Sequence, residues 1–383
     1  MKGGTPSMKN KSNSQSETSA KTRKTKVLKI AFFDTKPYDR KSFESLNTDF
    51  GFEISYHEAK LGPDTVSVAD GADAVCAFVN DNLGAETIEG LVKRGIRLIA
   101  MRCAGYNNVD LPAASGRIDV VRVPEYSPYA VAEYSLGLLL CLNRSLHRAF
   151  CRVRENNFSI NGFLGFDLHG KTVGIIGTGK IGRAFAGVLQ GFGVRILAYD
   201  VYPNAEAAKT LHMEYVNLET LYRESDVISL HCPLTPDNLH MINASSLAMM
   251  KHGVMLINTS RGKLIDSSAL INALKTGQVG SAGLDVYEEE TDYFFEDRSD
   301  AAIQDDILAR LMTFPNVLIT SHQAFFTHEA IRNIAETTLG NIRMYFENGD
   351  MPNGICNHCS GGKCPQCRKT KTKKAKSGKK GKI

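Results

Sequence analysis

Lys171-Thr-Val-Gly-Ile-Ile-Gly-Thr-Gly-Lys-Ile-Gly182, followed shortly by Arg195-Ile-Leu-Ala-Tyr-Asp200, is the stretch that decides the fold. Val173 to Ile176 form a short, nearly all-apolar run, which fits a central parallel strand covered on both faces, and the glycines begin where it ends. Gly177 allows a tight turn, Gly179 lets the backbone approach a pyrophosphate, and Gly182 lets a helix over roughly residues 181–191 pack closely on the strand. The amides opening that helix would hold the phosphates. A second apolar strand, Ile196 to Tyr199, ends in Asp200, whose carboxylate suits ribose hydroxyls and repels a 2'-phosphate. A glycine-rich turn alone is also a plain strand-to-helix connection. Strand, glycines, helix, strand and acid in this order point instead to a bound dinucleotide, NAD rather than NADP.

The turn lies in mid-chain, with room for a whole domain ahead of it. A chain of 383 residues, 43% of them hydrophobic, can fill two cores. From Lys29 the pattern alternates: strand Ile30–Phe33, helix around 40–49, strands Phe52–Tyr56 and Ala74–Val79, a helix near 85–94, and strand Leu98–Ala100. This βαβ series predicts a smaller doubly wound parallel sheet before the cofactor domain. From Pro128 to about Asn156 the chain reads as one long helical segment, apolar over more of its circumference than a surface helix needs. It fits burial between domains and a subunit interface equally. After Asp200 the runs 227–230, 254–257, 283–286 and 317–320 are further parallel strands, each ending beside polar residues. Ligands of open α/β sheets gather at such carboxyl ends.

Three of those ends carry a guanidinium, a carboxylate and an imidazole: Asn258-Thr-Ser-Arg261-Gly, Asp285-Val-Tyr-Glu-Glu-Glu290 and Thr320-Ser-His322-Gln-Ala. Reducing a 2-oxo acid with a hydride needs a cation to grip the carboxylate and polarise the ketone, and a proton donor for the developing alkoxide. Arg261 supplies the first and His322 the second, while Glu290 would orient the imidazole and raise its pKa. Taken singly, Arg261 also fits a surface salt bridge, Glu290 one of three adjacent solvated acids, and His322 a core or cap histidine. At ordered strand ends after a nucleotide turn, chemistry is the stronger reading.

These strings identify the chain as similar to the D-isomer-specific 2-hydroxyacid dehydrogenases, above all their lactate-forming members. The similarity runs from about Lys29 to Pro352 and includes Met101-Arg-Cys-Ala-Gly-Tyr-Asn-Asn-Val-Asp-Leu111, Val123-Pro-Glu-Tyr-Ser-Pro128, Ser229-Leu-His-Cys-Pro-Leu-Thr-Pro236 and Ser321-His-Gln-Ala-Phe325. The resemblance places the family's catalytic residues on Arg261, Glu290 and His322. It implies cofactor contacts from Gly177, Gly179, Lys180, Ile181, Gly182, Asp200, Cys232, Pro233, Asn238, Thr259, Ser260, Arg261 and Asp285. Substrate contacts would come from Ala104, Gly105, Tyr126 and Arg261. It further implies a Rossmann NAD domain, residues 127–325, inserted in a flavodoxin-like substrate domain, residues 27–126 and 326–354. A homodimer or higher homo-oligomer would form through the long helix. The expected reaction is hydride transfer between NADH and pyruvate giving D-lactate. Bulkier 2-oxo acids, or an NAD-sensing corepressor-like role, are the alternatives.

The tails depart from that pattern. Residues 1–26 and 355–383 together carry a net +16, and removing this from the total of +5 leaves residues 27–354 at −11. The basic pI thus belongs to the tails, which read as disordered, and nucleic acid is at most a weak, salt-sensitive partner of theirs. An organellar targeting role for the N-terminal tail is the weaker reading beside a cytoplasmic chain, and no apolar run is long enough for a membrane span. Cys356, Cys359, Cys364 and Cys367 supply enough thiols for a tetrahedral zinc site, but the two pairs stand closer together than in usual zinc modules. Reactive thiols are the alternative, and no other metal site is expected. The remaining five cysteines, scattered through the body, read as reduced cytosolic thiols.

Overall fold

The structure, a computed structural model, describes residues 1, 3, 27–289 and 293–356 and the backbone of residues 359–360. The expectations for the tails, including Cys364 and Cys367, and for Glu290 therefore lie outside the described residues.

Strands β1 (Lys29–Phe32), β2 (Glu53–Tyr56), β3 (Ala74–Ala77), β4 (Leu98–Met101) and β5 (Asp119–Val121) pair in parallel in the order β2-β1-β3-β4-β5. Seven more build a second, wholly parallel sheet: β6 (Thr172–Ile176), β7 (Arg195–Tyr199), β8 (Met213–Tyr215), β9 (Val227–Leu230), β10 (Val254–Asn258), β11 (Val279–Leu284) and β12 (Val317–Ile319). Their order is β8-β7-β6-β9-β10-β11-β12. Helical crossovers cover both faces of each sheet. Accordingly β3, β4, β9 and β10 are buried along their whole length and are apolar apart from Ser229 and Asn258. Each sheet reverses its winding once, between β1 and β3 in the first and between β6 and β9 in the second, and ligands gather at such points.

The chain passes between the sheets twice. After β5, Ser127 caps the helix Pro128–Asn143 by accepting from Ala130 N at 3.3 Å, and this helix packs on the helix Lys180–Leu189 and on β10 and β11. After β12 the chain returns through the helix His328–Asn348, capped by Thr327, which packs on the helix Pro37–Asn47 and on β4. It then adds β13 (Gly354–Cys356) antiparallel to β5, with β14 (Cys359–Ser360) beyond.

Two expectations are corrected. The single long helix to about Asn156 is two, Pro128–Asn143 and Leu146–Arg154, broken where Ser145 takes a left-handed conformation at φ 49°. The cause is long-range. The Asn143 side chain donates to Phe166 O at 2.7 Å and accepts from Phe166 N at 2.9 Å, so it fastens the helix end to a segment more than twenty residues away. The C-terminal tail also begins later than expected, because Ile355 and Cys356 form β13, and Ile355 is 6% exposed.

Candidate active site

The glycine turn sits at the winding reversal of the second sheet. Gly177 has φ 94°, and a Cβ there would overlap the main chain of Cys232 at the end of β9; a Cβ on Gly182 would overlap the Gly177 carbonyl. Glycine is required at both positions to bring strand, helix and neighbouring strand this close. The helix Lys180–Leu189 opens at Gly179 with no side-chain cap and no acid in its first turn. Its leading amides and positive dipole end are thus suited to phosphate. Asp200 Oδ2 accepts from Thr178 N at 2.6 Å and Thr178 Oγ1 at 3.0 Å, and Oδ1 accepts from Tyr202 N at 2.8 Å. These bonds fix the carboxylate beside the turn and leave it further lone pairs for ribose hydroxyls. The residues present fit a dinucleotide.

The ends of β9 and β10 are tied by Ser260 Oγ donating to Cys232 O at 2.5 Å. Burial pushes the Cys232 thiol up to about 11, which keeps it protonated. Asn238 braces the same loop, donating to Pro233 O at 2.8 Å and accepting from Thr235 N at 2.7 Å. Thr259 is buried and its hydroxyl meets Ser135 Oγ at 2.8 Å, anchoring β10 to the helix Pro128–Asn143. Lys180 pairs with Glu125 on the segment leading into that helix.

Arg261 follows directly. Asn258 donates from Nδ2 to Arg261 O at 2.9 Å, and Arg261 Nη1 donates to Ser260 O at 2.7 Å. The guanidinium then extends to the loop after β4, where a Cβ on Gly105 would fall 2.5 Å from Nη2. Most of its five N–H donors remain for a ligand. The opposing loop is held by Arg122 donating to Ala104 O at 2.7 Å. Tyr126 lies nearby, edge-on to Phe325 at 6.1 Å, and burial pushes its hydroxyl up to about 12.

His322 stands at the end of β12 in a left-handed conformation, φ 53°. Its amide donates to Asp285 O at 2.8 Å, and the Asp285 amide donates to Asn258 O at 2.9 Å, so three strand ends are laced together across the site. Asp285 itself is tied to the turn after β12. It is fully buried, and its carboxylate accepts from Thr320 Oγ1 at 2.6 Å, Gln323 N at 2.9 Å and Ala324 N at 2.8 Å. Burial raises its pKa, against which these hydrogen bonds act. The side chain shapes the turn that carries His322.

The sequence reading passes over Arg102, although it lies within the string 101–111. It is 1% exposed, donates to Asp34 O at 2.6 Å, faces Asp39 at 3.5 Å, and is sandwiched between the rings of Phe32 at 4.6 Å and Phe78 at 4.5 Å. It anchors the root of the 103–105 loop to the ends of β1 and β3. An arginine immediately after an apolar strand is the one signal that could have marked it.

Residues 136–324 match the family described as "D-isomer specific 2-hydroxyacid dehydrogenase, NAD binding domain". The D-lactate dehydrogenase of Escherichia coli (strain K12) is 52% identical over 329 residues, 86% of this chain and 100% of that one. The chain belongs to the D-isomer-specific 2-hydroxyacid dehydrogenase family. The apo structure of the Escherichia coli D-lactate dehydrogenase superposes with a TM-score of 0.78 at 50% identity, covering 86% of this chain and 100% of that one. A D-lactate dehydrogenase from Lactobacillus jensenii, solved with NAD+, gives a TM-score of 0.71 at 33% identity, over 84% and 97% of the two chains. The family's cofactor is NAD, in agreement with Asp200 and the glycine turn. No helix among the described residues is long and apolar enough to cross a membrane.

Proposed function

We propose that this enzyme interconverts pyruvate and D-lactate, with Arg261, His322 and Glu290 as its catalytic residues. The observation that carries the reading is the Arg261 guanidinium lying against Gly105, where the end of β10 and the loop after β4 meet. A small carboxylate beside this contact can bond to the free guanidinium donors and to the amides of the 104–105 loop at once. Bound NADH supplies the hydride. Arg261 polarises the ketone and stabilises negative charge on its oxygen, and His322 gives that oxygen its proton. Glu290 would orient the imidazole. Asp285, Thr259, Ser260 and Asn238 brace the strand ends and, with Lys180, Ile181, Cys232 and Pro233, border the nucleotide cleft, while Tyr126 borders the substrate.

In this reading residues 27–126 and 326–354, extended by β13, bind substrate, and residues 127–325 bind NAD. A homodimer is supported by apolar side chains exposed within one segment, among them Phe150 at 64%, Phe158 at 72%, Ile160 at 83% and Leu164 at 100%. A reducing cytosolic setting is supported by Cys76 and Cys103, buried at the ends of neighbouring strands and each a free thiol.

The test is NADH oxidation with pyruvate and a series of larger 2-oxo acids, compared by kcat/KM. Highest kcat/KM on pyruvate, with D-lactate as product, is expected. NADH binding with negligible turnover of every 2-oxo acid would overturn the reading.

A further inference from the structure

The loop that carries Phe295 reaches across the cleft from the nucleotide half and settles on three successive strand ends of the other half. Phe294 is 5% exposed, and its carbonyl accepts from Asn80 Nδ2, after β3, at 3.4 Å. Glu296 Oε1 lies 3.4 Å from Lys36 Nζ, after β1, and 3.4 Å from Lys60 Nζ, after β2. Between these anchors Phe295 has φ 69°, a conformation that a non-glycine residue holds only when its surroundings impose it. Its ring lies 5.8 Å from the His322 imidazole at 34°, and 5.3 Å from Phe78 at 69°. Phe78 in turn is backed by the Arg102 guanidinium. A buried cation, two phenyl rings set edge to face and the imidazole thus form one continuous chain of contacts that begins in the first half and ends on His322.

We propose that Phe295 is a positioning residue for His322, and that Asn80, Lys36 and Lys60 make this positioning conditional on the two halves being together. Rotation of an imidazole about its second side-chain torsion is broad and roughly two-fold, so a ring seated against it selects among orientations that would aim its proton differently. Separating the halves breaks either the Phe295–His322 contact or the bonds from Asn80 and the two lysines, so only the assembled cleft holds the imidazole in place. The inference rests on His322 being the proton donor.

The experiment compares Phe295→Leu, which keeps bulk but removes the ring, with Phe295→Tyr, which keeps the ring, and with His322→Gln. The readouts are kcat and KM for pyruvate, the NADH dissociation constant by fluorescence, and the isotope effect with deuterated NADH. Phe295→Leu should lower kcat by about tenfold to a hundredfold, the scale of a misaimed reacting group, and leave NADH affinity unchanged. Its isotope effect should rise as the chemical step becomes limiting, and Phe295→Tyr should recover most of kcat. Wild-type kcat in Phe295→Leu alongside a collapsed His322→Gln overturns the positioning role alone. Full turnover in His322→Gln overturns the donor role beneath it. Should Phe295→Leu fail to fold, Glu296→Gln leaves the ring and weakens the lysine anchors; it too should lose kcat rather than NADH affinity, and wild-type kcat there overturns the proposal.

Discussion

A Cβ on Gly105 would lie 2.5 Å from Nη2 of Arg261, so the guanidinium delivered by β10 rests directly on the backbone of the loop after β4. The smallest possible side chain at position 105 would therefore displace the group that grips the substrate. Gly105→Ala should lower kcat/KM for pyruvate by about a hundredfold, comparable to losing one aligned transition-state donor. NADH affinity should stay as in the parent, because the glycine turn lies elsewhere in the cleft. Steady-state kinetics with fluorescence titration of NADH checks both, and an unchanged kcat/KM would separate Gly105 from the substrate site.

Asp285 and His322 offer a second relationship open to test. The buried carboxylate accepts from Thr320, Gln323 and Ala324, and the carbonyl of the same residue accepts from the His322 amide. Asp285→Asn keeps the shape but turns an NH2 group toward one of those donors, which costs on the order of 1–3 kcal/mol. A lower Tm by calorimetry together with reduced kcat is expected. Parental values for both would show that the turn holds its shape without the carboxylate.

What is legible in the sequence is what depends on neighbours along the chain. The glycine turn, Asp200, and the placing of Arg261 and His322 after apolar strands all follow from local spacing, as does the alternation of strands and helices. What is not legible depends on distant partners. The break at Ser145 is imposed through Asn143 and Phe166, and β13 is three residues of edge strand that only β5 makes meaningful. The three donors that hold the Asp285 carboxylate come from residues 320–324, which no local spacing places beside it. Phe295 gains its role from contacts that span both halves, and Arg102 from partners far along the chain within the first half.

Asp200 is the residue proposed to set cofactor choice. Its carboxylate is held beside the turn by Thr178 and Tyr202, where a 2'-phosphate would meet it charge to charge. Asp200→Ala should reduce NADH affinity by about tenfold to a hundredfold, the value of one or two charge-assisted hydrogen bonds, and narrow the NADH-to-NADPH ratio of kcat/KM. Since Thr178 also loses a partner, Asp200→Asn serves as the control that keeps an oxygen for Thr178 and gives up only the bond from Tyr202. An unaltered ratio in Asp200→Ala would remove the carboxylate from cofactor discrimination.

His231 gives the fold an acid-sensitive point outside the chemistry. Its Nε2 meets Ser229 Oγ at 2.9 Å, its ring lies 5.0 Å from Phe185, and its Nδ1 is buried with no hydrogen-bond partner among the described residues. Burial drives its pKa down from 6.5 to about 3. The unfolded chain therefore takes up a proton near pH 6.5 that the folded one refuses, so this contribution is complete above pH 6.5 and is lost as pH falls toward 3. At about 1.4 kcal/mol per pH unit, acidification from neutrality to pH 5 costs on the order of 2 kcal/mol through this residue. His231→Gln cannot take up that proton when unfolded, so it should lose less stability than the parent between pH 7 and pH 5. Denaturant unfolding at the two pH values measures the difference, which cancels the carboxylates titrating in both proteins; equal losses would mean that His231 is hydrated enough to protonate without unfolding.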